Sequence, residues 1–354
     1  MSLTAARLSA ASSRRVRHAL TECLLREAAI EDSPKYPDGI APVLPGPWRL
    51  LLEDCCTWRT RPRLSSQLLG DLRGHFGNNV IREILLAAAG VKLSRTCLSD
   101  PKLDVLRGVA GQHGFGVKAS SERYIHHRDS GKGGSSNAIE RLASPDEEAG
   151  LRNVYIAADS NLATTGAMLE EAGDDENFGL LLGIPACCRE AYMQRSPKAA
   201  AAQNDFVLFA LDNTSGPMPY DFWLNYPATY FGPALISFFP CSFRCTHAAA
   251  VARSTFEMLY ACDETWAESF LKSHQTNILY TEYDGLHLFR HPLVEGCIGY
   301  GPDDHRSTEP SRVSDLISRG TRLEVQGKHK VLIYRGCEQI ASIDGANVGM
   351  CAFH

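Results

Sequence analysis

Two stretches decide how this chain is read: Gly183-Ile184-Pro185-Ala186-Cys187-Cys188-Arg189-Glu190, and later Phe238-Phe239-Pro240-Cys241-Ser242-Phe243-Arg244-Cys245-Thr246-His247. In each, a proline precedes the cysteines and an arginine sits beside them. Proline suits the first turn of a helix, where an N–H would have no partner anyway. The pattern therefore predicts a helix start at both places. Free N–H groups and the positive end of the helix dipole favour an anion there. A thiol so placed loses its proton readily, and the thiolate is the form that binds metal or attacks. Cys241 and Cys245 are four apart, which on a helix puts them on one face, a turn apart. Cys187 and Cys188 are adjacent, and only the freedom of a helix start lets both turn inward. Four such sulfurs suit a tetrahedral zinc or an iron–sulfur cluster. His247, two residues past Cys245, can replace one of them. The expected ligands are thus Cys187, Cys188, Cys241, Cys245 and His247. The spacing is not that of a zinc finger or a ferredoxin, because no Cys-x-x-Cys pair occurs. Two other readings stay open for these cysteines: buried small hydrophobes, or a thiol–disulfide pair.

Composition sets the frame around these motifs. The chain has 354 residues, of which 44% are apolar and 22% charged, values of an ordinary folded protein. At roughly 150 residues per domain it holds about two domains. A chain of this length buries enough surface to fold without staples, so its 12 cysteines ask for another explanation. With 36 basic and 41 acidic residues the net charge is −5, and no basic stripe marks a nucleic-acid partner. No apolar run reaches the roughly 18 residues of a membrane span. A soluble, cytoplasmic protein is expected. Residues 1–21 carry Arg7, Arg14, Arg15 and Arg17 without an acid, a composition shared with organelle targeting segments and with plain polar helices.

Patterning predicts an α+β fold: a helical N-terminal part, a mixed α/β centre and a mostly antiparallel β C-terminal part. A helix in 1–30 leads to the proline-rich linker 33–47, so that 1–47 forms one unit. Residues 48–150 read as mainly helical, notably Leu64–Leu93 and Val105–Gly111, and 151–354 as the domain of the cysteine motifs. Short strands are expected at Gly114–Ser120 and Val154–Ala157, with a loop over 126–136 between them. That loop lacks the leading glycine and the Lys-Ser/Thr of a phosphate loop. Thr164 or Thr165 is expected to cap the next helix, and Asp174 and Asp175 the one after it. The aromatic run Tyr220–Phe231 reads as core packing around an irregular segment. After the helices Ala248–Leu259 and Glu264–Lys272, strands follow at Ile278–Tyr283, Leu286–Phe289, Arg322–Val325, Val331–Tyr334 and Gln339–Ile343.

The two cysteine motifs also resemble those of an uncharacterised prokaryotic family with a Leu-Gly-Tyr-Pro-x-Cys-Cys helix start and a later Pro-Cys-Ser-x-x-Cys. The resemblance covers about residues 150–300 and departs at Ile184, where the family has an aromatic. It implies that the four cysteines belong together and brings no activity with it.

A second candidate constellation is Asp284, His287 and His291, in or beside one strand. Two histidines and a carboxylate are the inventory of a non-haem iron site, and these three are the candidate catalytic residues. Cys297 and His305 lie close enough in sequence to line the same cleft. Serine-hydrolase and dinucleotide-binding motifs are missing. The sequence thus points first to a metal- or iron–sulfur-dependent enzyme acting on a small molecule. Its rivals are a non-catalytic, zinc-stabilised binding protein and a thiol–disulfide redox enzyme.

Overall fold

The computed structural model describes residues 62–129, 134–144, 146–201 and 206–353. The expectations for 1–47 and 48–60 lie outside the described residues, as do Cys23, Cys55 and Cys56. Two helices, α1 (Pro62–Leu72) and α2 (Asn78–Ala88), lead into β1 (Ser94–Leu98), α3 (Asp100–His113) and β2 (Gly116–Ala119). A hairpin follows, β3 (Tyr124–Asp129) with β4 (Gly134–Leu142), and then β5 (Arg152–Ala157). Four helices come next: α4 (Ser160–Ala172), α5 (Asp175–Leu181), α6 (Ala186–Ala201) and α7 (Phe206–Asp212). Two 3₁₀ turns, Phe222–Leu224 and Tyr226–Tyr230, precede α8 (Thr246–Cys262) and α9 (Glu264–His274). The C-terminal part holds β6 (Asn277–Thr281), β7 (Gly285–Phe289), β8 (Cys297–Gly299), β9 (His305–Ser307), α10 (Arg312–Arg319), β10 (Arg322–Val325), β11 (Lys330–Arg335), β12 (Glu338–Asp344) and β13 (Val348–Cys351). The fold is α+β, with its strands concentrated towards the C-terminus, as the patterning predicts.

The first sheet has the order β1-β5-β2, with β5 antiparallel to both neighbours. It takes strands from both sides of residue 150. The C-terminal strands form two four-stranded antiparallel sheets, β13-β6-β7-β9 and β12-β11-β10-β8. Leu279, Phe289, Leu323, Ile333 and Met350 from these sheets and Ile317 from α10 share one core. The largest core gathers residues from Leu68 to Phe353 and includes Cys188 and Cys245.

Local chemistry explains the elements before the cysteines. Asp159 caps α4 by accepting from the N–H groups of Asn161 and Leu162, and the helix stops at Gly173 with φ +66°. The expected caps Thr164 and Thr165 lie within α4 instead, donating back to the carbonyls of Ser160 and Asn161. Asp174 caps α5, as expected. Gly183 then takes φ +73°, a left-handed turn that glycine adopts without steric cost, and the chain re-enters a helix past Pro185. The expected loop over 126–136 is instead largely the β3–β4 hairpin, with Arg128 opposite Ser135 and Asp129 opposite Gly134. Its ladder is irregular, which is how glycine- and serine-rich strands hide from pattern reading.

Polar contacts hold the segment that leads to Cys241. The Ala234 N–H donates to Asn79 Oδ1 at 2.8 Å, and the Arg82 guanidinium donates to the carbonyls of Ala234 and Ile236. Glu83 pairs with Arg82 at 2.9 Å and with Lys92 at 2.7 Å, and Lys92 donates to Ser237. Burial pushes the Glu83 carboxyl up, but the charges of Lys92 and Arg82 outweigh it and hold it at about 2. His274 closes the arrangement: its Nε2 accepts from the Leu235 N–H at 2.9 Å and its Nδ1 donates to the Phe222 carbonyl at 2.9 Å.

His274 is fully buried, and burial lowers its pKa to about 4 against the opposing bond to Phe222. The unfolded chain binds its proton near pH 6.5, so below that pH the unfolded state holds the extra proton. Stability is therefore full above about pH 6.5 and falls by about 3 kcal/mol as the pH drops towards 4. Urea unfolding from pH 7.5 to 4.5 checks this: His274→Gln should be less stable at pH 7 and should show a shallower acid slope, by about one proton.

Candidate metal centre

The two cysteine motifs meet in space. On one side, α6 begins at Ala186, so Cys187 and Cys188 occupy its first turn, with Cys188 N–H donating to the Pro185 carbonyl at 2.9 Å. On the other side, Cys245 is the N-cap of α8, and its sulfur accepts from the Ala248 N–H at 3.5 Å. Cys241 does not share a helix face with Cys245. Residues 241–244 form a tight turn ahead of the helix, and that turn folds Cys241 back beside Cys245. The correction has a physical reason: the orphan N–H groups of α8 recruit the cysteine sulfur as cap, so the helix cannot begin earlier.

All four sulfurs lie within 4.8 Å of one another. Cys187 stands 3.9 Å from Cys188 and 3.6 Å from Cys245, and Cys188 and Cys245 are 3.8 Å apart. The four can hold one metal ion. Cys188 and Cys245 are 1% and 7% exposed, whereas Cys187 and Cys241 are half-buried, so the group sits at the edge of the main core. His247 lies beside this set: its Nδ1 is 3.7 Å from the Cys187 sulfur.

Several contacts fix the Cys241 turn. Asn213 donates to the Cys241 carbonyl at 3.1 Å, and the Cys241 N–H donates to the Cys188 sulfur at 3.4 Å. Thr214 accepts from the Phe243 N–H at 2.8 Å and donates to the Ala210 carbonyl at 2.7 Å. Phe243 is buried between Tyr220, stacked at 5.9 Å, and Phe353, edge-on at 5.2 Å. Sequence reasoning missed Asn213 and Thr214, since a support this far from the motif leaves no spacing signal.

The electrostatics suit negative sulfur. The N-termini of α6 and α8 converge on the group, and each brings a partial positive charge. Without metal, S–H donation from Cys188, Cys241 and Cys245 pulls the Cys187 thiol down. Cys188 and Cys241 rise in turn, mainly because they hold protons against Cys187. For Cys245 the bond with Cys187 acts upward, but those with Cys188 and Cys241 prevail and bring it to about 7. Each neighbouring arginine bonds a backbone carbonyl: Arg189 that of Ile184 at 2.6 Å, Arg244 that of Pro217 at 2.7 Å.

A hollow of about 10 Å³, room for about one water, lies beside Cys188 and Cys241, walled by Tyr192, Arg195, Phe206 and Phe239. That is far below the roughly 300–1,000 Å³ usual for a small-molecule site. The aromatic run 220–231 serves as packing: Tyr220 is buried, and Phe222, Trp223, Tyr226, Tyr230 and Phe231 lie against the main core.

The second constellation does not assemble. His287 is fully buried in β7, its Nδ1 2.7 Å from Ser307 Oγ, and burial pushes it down to about 3, helped by the nearby His305. Strand β7 stops at Phe289, so His291 does not share its face; it is exposed and pairs with Asp304 at 3.1 Å. Asp284 lies between β6 and β7, where its carbonyl accepts from Ser311. Among the described residues, the four cysteines are the one group of three or more ligand-type side chains that converges. Also among these residues, no helix is long and apolar enough to cross a membrane.

Compared with family models, curated proteins and solved structures, the chain shows no match.

Thr214→Val keeps the shape at the Cys241 turn but leaves the buried Phe243 N–H without an acceptor. It should cost about 1–3 kcal/mol in urea unfolding, and it should weaken metal retention against a chelator in the same sample.

Proposed function

We propose that Cys187, Cys188, Cys241 and Cys245 bind a single zinc ion in a closed tetrahedral site, and that this site is structural. The observation that supports the reading is the spacing of the sulfurs. Four sulfurs bonded to one zinc at 2.3 Å stand about 3.8 Å apart; the separations of 3.6, 3.8 and 3.9 Å among Cys187, Cys188 and Cys245 match that edge, and Cys241 lies within 4.8 Å of all three. The sulfurs around a four-iron cube stand roughly 6 Å apart, each carried outward on its own iron; the 4.8 Å limit here is too short for that. A structural zinc has four protein ligands and no open position, whereas a catalytic one keeps a place for water or substrate.

On this reading the chain is a zinc-stabilised, non-catalytic protein. The metal clasps the start of α6 to the turn before α8, two pieces far apart in sequence. The resemblance in the two cysteine motifs is then a resemblance in metal ligands. Metal-dependent catalysis on a small molecule remains the second reading, favoured by one observation: the hollow that reaches Cys241. It requires a substrate atom to displace a sulfur.

The test is direct. Full-length protein purified without oxygen should be colourless and carry one zinc per chain, with no acid-labile sulfide. Cobalt exchanged into the site should show the intense thiolate bands of a tetrahedral S₄ centre. Iron with sulfide, or a metal-free protein of undiminished stability, would overturn the proposal. Cys188→Ser should reduce bound zinc well below one per chain and lower the melting temperature by roughly 10 °C or more.

A further inference from the structure

The four sulfurs are not equivalent, and the difference rests on what surrounds them once the proposed metal is bound. A metal-bound thiolate has no proton and can only accept hydrogen bonds. Each N–H that points at it draws charge from the sulfur and makes it a poorer nucleophile. Cys188 accepts from the Cys241 N–H at 3.4 Å, and Cys245 accepts from the Ala248 N–H at 3.5 Å. Both are also buried. Cys187 is half-buried, and His247 Nδ1 stands 3.7 Å from its sulfur, where the Nδ1–H tautomer donates to a thiolate. The Cys241 sulfur is half-buried and lines the hollow between Tyr192, Arg195, Phe206 and Phe239. Among the described residues, no N–H or O–H group donates to it.

We propose that Cys241 is the most reactive sulfur of this otherwise structural centre, a one-time acceptor of a carbon group from a soft alkylating electrophile. The sulfur supplies the electron pair and a C–S bond forms. The bond between that carbon and its leaving group breaks, and the leaving group departs with its pair. The metal–thiolate becomes a metal–thioether, and no proton is released. The hollow beside Cys241 has room for about one water, which limits the transferred group to a small one. Burial and hydrogen bonding shield the other three sulfurs from the same attack.

The inference rests on the zinc reading, and one experiment separates the two. Full-length protein is first assayed for bound metal, then treated with substoichiometric iodoacetamide, and the adducts are mapped by mass spectrometry. The exposed Cys337 gives the rate of an unligated thiol in the same sample. Among the four ligands the first adduct should fall on Cys241. His247→Leu removes the group beside Cys187 and should raise the Cys187 rate about fivefold, the worth of one hydrogen bond. Zinc present with the first adduct on Cys187, Cys188 or Cys245 overturns the inference and leaves the zinc reading intact. Absence of metal overturns both.

Discussion

The structure depends on bringing four sulfurs together where their charges would repel. Thiolates this close need compensation, and the backbone supplies much of it. Two helices begin at the same point, and each presents the N–H groups that a helix start leaves unpaired. Cys187 and Cys188 ride in the first turn of one helix, and Cys245 caps the other. Pro185 stands directly ahead of α6, whereas Pro240 opens the turn 241–244 and the Cys245 cap sets the start of α8.

A second constraint acts upstream of the sulfurs. The stretch 234–237 is threaded between α2 and α9 by side chains that bond to its backbone: Asn79, Arg82 and His274. Arg82, Glu83 and Lys92 form a buried ionic trio, costly to desolvate and worthwhile only when every member is paired. Here the trio does more than balance its own charge. Arg82 and Lys92 both reach the segment that ends in Pro240, so the position of Cys241 is set partly by residues far back in the chain.

Much of this was legible in the sequence. The strands from Arg322 to Ile343 and the helices around Met258 and Phe270 follow plain periodicity. The cysteine grouping follows from the preceding proline, the neighbouring arginine and helix-start chemistry. What stayed hidden has specific causes. Strand β1 reads Ser-Arg-Thr-Cys-Leu and shows no clean alternation; it exists because β5 pairs with it. Strands β8 and β9 have three residues each, too few to carry a pattern. The Asp284–His291 grouping assumed a strand that continues, and it ends two residues early. Cys241 and Cys245 were placed together for the wrong local reason, a shared helix face, yet a turn brings them equally close.

The Tyr220–Phe353 contact carries a consequence for how the protein is made. Tyr220 donates its N–H to the Ala352 carbonyl, and Phe353 donates to Asn277 while its ring meets Phe243 behind the cysteine turn. A ribosome releases the cysteine motifs well before it releases residue 353. During that interval Phe243 has one wall of its pocket missing, and the turn it anchors is held without that wall by Thr214, Asn213, Cys188 and Tyr220. The nascent chain must therefore pass through a stage in which the thiols of both motifs are present but their scaffold is incomplete, and the segment Ala352–Phe353 works as the latch that ends it.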